Sequence, residues 1–144
     1  MRPILGTVRL ATAGALAAIG VVHVAWGRGS AFPFPDRADL QSAVIGRDVS
    51  PPAAACYGVA ALLATAAALV AGVPVGPARW RRRGVALVVT ALAGRGMLGF
   101  AGRTDLVSPG STSPRFRRLD RRYYAPLCLL LAAGSTTGLL RRRR

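Results

Sequence analysis

The stretch LATAGALAAIGVVHVAWG, residues 10–27, decides the fold, because it carries no charged side chain over about the length of helix that crosses a bilayer, ~20 residues. Two further stretches are alike in this, PPAAACYGVAALLATAAALVAGVPV at 51–75 and YYAPLCLLLAAGSTTGLL at 123–140. A fourth, GVALVVTALAGRGMLGFAG at 84–102, is interrupted only by Arg95. In water four such segments would aggregate, whereas in hydrocarbon each closes its own backbone hydrogen bonds as a helix. The expected fold is all-α: an integral membrane four-helix up-down bundle, a single domain over 1–144, with spans at about 8–27, 51–74, 82–102 and 122–140.

Composition points the same way. The chain is 52% hydrophobic and only 17% charged, with a mean hydropathy of +0.38, outside the usual range for a soluble domain. A net charge of +15 and a pI near 11.9 would by themselves suggest a nucleic-acid binder. The arginines instead gather at the ends of apolar runs, so the expected partner is the lipid bilayer and not nucleic acid. All 20 basic residues are Arg and all 5 acids are Asp, a bias that reads as GC-rich codon usage.

Punctuation and charge place the segment ends. Ser50 before Pro51 and Pro52 predicts a helix start with the serine as N-cap, and Gly72, Pro74, Gly76 and Pro77 end that helix. Arg81 to Arg83 precede the third segment and Arg141 to Arg144 follow the fourth. Basic residues divide almost evenly between the two sides, but these tight clusters abut their helices and the acids all lie opposite. Both termini are therefore expected in the cytoplasm of a multi-pass inner-membrane protein. Met1 to Val22 also resembles a signal peptide, with Gly29 and Ala31 as a small-residue cleavage pair. His23 and Trp26 extend the segment beyond a typical signal core, so a retained span is expected.

Two long outer loops separate the spans. In the first, Phe32-Pro33-Phe34-Pro35 is expected to run extended, and Asp36 to cap a short helix whose Leu40, Ala43 and Val44 share a face before Gly46 ends it. In the second, Ser113 is expected to cap an amphipathic helix with Phe116, Leu119 and Tyr123 on one face and arginines on the others. Such short helices suit the membrane interface, the second as an anchor to anionic lipid or as the wall of a binding site. Pro126 cannot donate to the carbonyl of Arg122, which predicts a break between that helix and the fourth span.

His23-Val24-Ala25-Trp26-Gly27 and, above all, RFRRLDRRYYAPLC at 115–128 resemble an uncharacterised domain-of-unknown-function family of small bacterial four-span membrane proteins. The resemblance covers essentially the whole chain. It implies a four-helix membrane fold and nothing about chemistry.

A helical rise of ~1.5 Å per residue, counted from the cytoplasmic clusters, puts Arg95 roughly 16 Å deep, Cys128 roughly 18 Å, His23 roughly 21 Å and Tyr124 roughly 24 Å. All lie between the midplane and the outer surface, where one pocket open to the outside would gather them. Arg95 is the first ligand-binding candidate. A guanidinium at this depth costs about 2.5–3.5 kcal/mol. With no acid inside any span, it has to snorkel, bond to carbonyls and water, or hold an anionic ligand. Gly94, Gly96 and Gly99 beside it leave room for a close helix contact or a ligand.

His23 and Trp26 share a face of the first helix. His23 is either a cross-helix hydrogen-bonding residue or a general acid–base with Asp120 or Tyr124 as orienting partner. Catalytic candidates are thus His23, Asp120 and Tyr124, and ligand-binding candidates Arg95, His23, Trp26, Tyr123 and Tyr124. A lone imidazole with no carboxylate pair or Cys cluster makes no metal site, and no cofactor is expected. Cys56 and Cys128 read as small packing residues, a disulfide requiring adjacent helices at matched depth. Two readings follow: a non-enzymatic bundle or accessory subunit, as a homo-oligomer or with a larger membrane partner, or a membrane-embedded enzyme or binding protein for an anionic lipid or isoprenoid.

Overall fold

The computed structural model describes residues 2–74, 76–106 and 108–140 and contains no strand among them. Its helices are α1 (Arg2–Gly27), α2 (Arg37–Leu40), α3 (Ala53–Ala71), α4 (Ala78–Phe100), α5 (Pro114–Leu119) and α6 (Ala125–Thr136). The expected Arg141–Arg144 cluster lies outside the described residues, as does Val75.

Prolines set the helix starts, though not as expected at Ser50. The N-cap of α3 is Pro52, in the extended region, and its carbonyl accepts from the amides of Ala55 and Cys56 at 2.9 and 3.3 Å. A residue before a proline is disfavoured in the helical region, so Ser50 and Pro51 both stay outside the helix and the first helical residue is Ala53. Ser50 Oγ instead accepts from Gln41 Nε2 at 2.5 Å. Pro77 caps α4 in the same way.

Close antiparallel pairing organises the long helices. Along α1 and α3, Gly27 meets Tyr57, Gly20 meets Ala60 and Leu63, and Arg9 meets Gly72. Along α4 and α6, Gly99 meets Ala125, Gly96 meets Leu129, and Val85 meets Gly138 just beyond α6. The pairs join where Thr12 of α1 abuts Gly134 of α6 and where Leu69 of α3 abuts Gly84 of α4. Ala13, Leu16, Ala66, Ala67, Val70 and Leu131 fill the space between. Small residues at these contacts let backbones approach and keep the large aliphatic groups outside.

Those aliphatic groups face outward. Three segments, Pro3–Gly27, Ala53–Ala71 and Ala78–Phe100, are long and apolar enough to cross a membrane, and only 22%, 28% and 17% of their most apolar windows is buried. Leu62, Leu87 and Leu130 stand 72%, 70% and 71% exposed. The fourth apolar stretch is helical too, but divided. A π-helical turn, Asp120–Tyr124, links α5 to α6, and a 3₁₀ turn, Thr137–Leu139, follows it. The wide turn answers Pro126: the amide of Ala125 reaches back five residues to the carbonyl of Asp120.

The two long connections form one layer at one end of the helices. Asp36 caps α2 by accepting from the amide of Asp39 at 2.8 Å, and Ser113 caps α5 by accepting from that of Phe116 at 3.4 Å, both as expected. Beyond α2 the chain widens into a second π-helical turn, Gln41–Ile45, which Gly46 ends at φ 77°. A β-carbon at Gly46 would be strained there and would lie 2.8 Å from the Phe116 ring, so only glycine lets the connections meet. Phe32 to Phe34 turns rather than running extended, with the amide of Phe34 bonded to Ala31 O at 2.9 Å. The Phe32 carbonyl is drawn back onto α1 by Trp26 Nε1, which donates to it at 2.6 Å.

Candidate functional site

Arg95 has an acid partner after all. Its Nη2 donates to Oδ1 of Asp120, whose side chain is wholly buried while that of Arg95 is 27% exposed. The expected choice among snorkelling, carbonyl bonding and an exogenous anion therefore gives way to an ion pair within the chain. Asp120 lies outside the uncharged run that begins at Tyr123, and it is carried inward by standing one α-helical turn beyond the buried Phe116, to whose carbonyl its amide bonds. The π-helical turn that follows changes the buried face of this segment. Phe116 and Asp120 are buried and Tyr124 half-buried, whereas Tyr123, expected on the inner face, is 54% exposed with the Arg122 guanidinium 5.6 Å from its ring centre.

Gly99 completes the pair's surroundings. A β-carbon there would lie 2.8 Å from Asp120 Oδ2, 2.9 Å from Arg95 Nη1 and 2.7 Å from Ala125 Cβ. Those two polar atoms are buried and lack hydrogen-bond partners, so the pair is closed on that side by the glycine backbone. Gly96 gives the second close contact to α6, while a β-carbon at Gly94 would meet nothing within 4 Å.

Tyr124 ties the second connection to the first rather than facing His23. Its hydroxyl donates to Ala43 O at 3.2 Å. Ser111 Oγ donates to Ile45 O at 2.5 Å, Ser113 Oγ to Ser42 O at 3.1 Å, and the amides of Thr112 and Ser113 both reach Gly46 O at 3.0 Å. Arg115 Nη1 adds an exposed bond to Asp39 Oδ1 at 2.7 Å. Tyr124→Phe removes one bond of this set and is expected to lower stability by about 0.5–1.5 kcal/mol. Hydrogen exchange in residues 41–46 should quicken, with the ends of α1 and α3 unchanged.

His23 and Trp26 stand apart from the ion pair and Tyr124, in a cleft of about 160 Å³. Its walls come from α1, from Leu40, Val44 and Ile45 of the surface segment, and from Pro51, Ala55, Cys56 and Val59 leading into α3. His23 Nδ1 lies 2.8 Å from the carbonyl of Ile19, and the imidazole and indole rings pack 4.7 Å apart at 56°. The single pocket expected to unite His23, Arg95 and Tyr124 is thus two places. The π-helical turn Gln41–Ile45 lies between them, lining the cleft with Val44 and Ile45 while receiving Tyr124 on Ala43. Its wide turns gave no sign in the sequence. Cys56 lines this cleft and Cys128 stands in α6, both as free thiols.

A family model described as protein of unknown function, DUF3995, matches residues 16–135. The chain belongs to the DUF3995 family. Both quoted stretches of likeness, 23–27 and 115–128, fall inside that match. No curated protein and no solved structure matches it.

Chemically, this DUF3995 member holds two distinct arrangements. One is a neutralised cation clamped between α4 and α6. The other is an apolar cleft with one imidazole. Among its described residues no group of three His, Cys, Asp or Glu side chains is placed to hold a metal.

Proposed function

We propose that this DUF3995 chain is a non-enzymatic inner-membrane bundle of four spans with both termini cytoplasmic, acting as an accessory subunit of a larger membrane assembly. The observation that carries the non-enzymatic reading is the internal pairing of Arg95 with Asp120. The cation that would otherwise bind an anionic substrate is already matched, and no other charge lies within the apolar stretches. Outward-facing leucines on α3, α4 and α6 supply the surface for lipid or for a neighbouring helix. The layer of α2 and α5 lies at the outer interface in this reading. There Arg117, Arg118, Arg121 and Arg122 are exposed, with no acid within ion-pair distance among the described residues, a face suited to anionic headgroups.

Two measurements test this. Single cysteines at Ser50, Ser108 and Gly76, in a Cys56→Ser/Cys128→Ser background, are expected to react with an impermeant maleimide in intact cells at the first two positions. Gly76→Cys should react only after lysis. The reverse pattern would invert the topology. Native mass spectrometry from mild detergent should retain a second protein chain, and a lone monomer under every mild extraction would sink the accessory role.

A further inference from the structure

The geometry points to the His23 cleft as a binding site for a single-ring phenol or hydroquinone head, held by a hydrogen bond to the imidazole. The proposal goes beyond the accessory role and is independent of which way the chain is inserted.

Size comes first. A cavity of roughly 150 Å³ lined by aliphatic and aromatic side chains accepts benzene. At about 160 Å³ this cleft is of one-ring size, well short of the roughly 300–1,000 Å³ that accommodates a drug-sized ligand or cofactor. Apart from His23, its walls are Leu, Val, Ile, Pro and Ala side chains together with Trp26 and the Cys56 thiol, at best a weak hydrogen-bond donor.

Polarity then selects the ligand. A carbonyl only accepts, so the 2.8 Å contact with Ile19 O requires His23 Nδ1 to carry the proton. In the neutral ring the nitrogen left to the cleft is Nε2, an acceptor with no protein partner among the described residues. Trp26 cannot supply a donor, because its indole N–H is spent on Phe32 O at 2.6 Å, and it offers only its π face. The lining thus presents one strong acceptor in an apolar, aromatic setting. Its complement is a flat apolar body with one O–H donor. A quinone or an ester, which only accepts, would leave Nε2 unmatched, and a carboxylate or phosphate would enter without a cation to meet it.

The cleft is also held ready. Leu40, Val44 and Ile45 reach it from the segment that Tyr124, Ser111 and Ser113 fasten through Ala43, Ile45 and Ser42. Little ordering is left for the ligand to bring about.

Trp26 reports binding directly. The chain has 2 tryptophans, so Trp80→Phe labelled with 5-fluorotryptophan carries one fluorine signal, at the cleft. Titration of the full chain in lipid nanodiscs with phenol and with benzene, each corrected for partition into protein-free nanodiscs, should give saturable shifts. One net hydrogen bond makes phenol about fivefold tighter. His23→Leu should keep benzene binding and erase the preference, His23→Gln should retain part of it through its amide oxygen, and Ala55→Phe should abolish both. Competition by 4-octylphenol marks the head of a lipid-soluble molecule as the occupant, and its failure to compete marks a free phenol. Equal affinity for phenol and benzene in the parent chain, or a preference that survives His23→Leu, overturns the proposal. Should His23→Leu not fold, the loss of both ligands in Ala55→Phe and the parent chain's selectivity still decide it.

Discussion

Asp120→Ala is expected to lower the unfolding free energy by about 3–5 kcal/mol, the range for removing one partner of a buried ion pair. The carboxylate is fully buried, and its loss leaves the Arg95 guanidinium without an anion between α4 and α6. The penalty is that of the stranded cation, not of a lost contact. Replacing both partners, Arg95→Met with Asp120→Leu, should therefore recover most of it. Asp39→Ala is the contrasting case, since its pair with Arg115 is exposed on both sides, and a cost of about 0.2–1 kcal/mol is expected. Unfolding in mixed micelles with rising dodecyl sulfate, followed by circular dichroism, measures all three. If Asp120→Ala costs no more than Asp39→Ala, the pair is not what holds α4 to α6.

Much of the helical layout was legible because it depends on local chemistry. The uncharged runs became helices, and Asp36, Ser113 and Gly46 did the capping and ending their side chains favour. Pro126 stands just after a break in the regular helix, the π-helical turn Asp120–Tyr124 that contains the Arg122 carbonyl it cannot bond. What stayed hidden was rotation. Asp120 shares the buried face of Phe116 one ordinary turn back, and the five-residue turn that follows brings Tyr124 inward and leaves Tyr123 on the surface. Hydrophobic periodicity assumes a constant angle per residue, so it could locate the break but not say which side chains would face inward afterwards. Arg95 is legible as a cation in need of a partner, but the partner is not, because Asp120 lies outside the apolar runs. The three-residue spacing of His23 and Trp26 does put both rings on one face of α1. Their separation from Arg95 depends on the order of helices and on the segment between them, neither of which sequence spacing encodes.

Gly99→Ala tests the same contact from the other helix, and a cost of about 3–5 kcal/mol is expected, overpacking adding to a weakened ion pair. The new methyl group would sit 2.7 Å from Ala125 Cβ, which is fixed to the α6 backbone and has no rotamer to escape into. Either the helices separate, or the methyl is driven toward Asp120 Oδ2 and Arg95 Nη1. Gly94→Ala supplies the control on the same helix. Its β-carbon meets nothing within 4 Å, so the helical preference for alanine should leave the protein unharmed or raise stability by about 0.5–1 kcal/mol. Combining Gly99→Ala with Asp120→Ala should cost less than the two separately, because removing Oδ2 relieves one collision and the pair can be broken only once. Strict additivity, or a Gly99→Ala protein as stable as Gly94→Ala, would mean that α4 and α6 are not in the close contact from which the buried pair derives its strength.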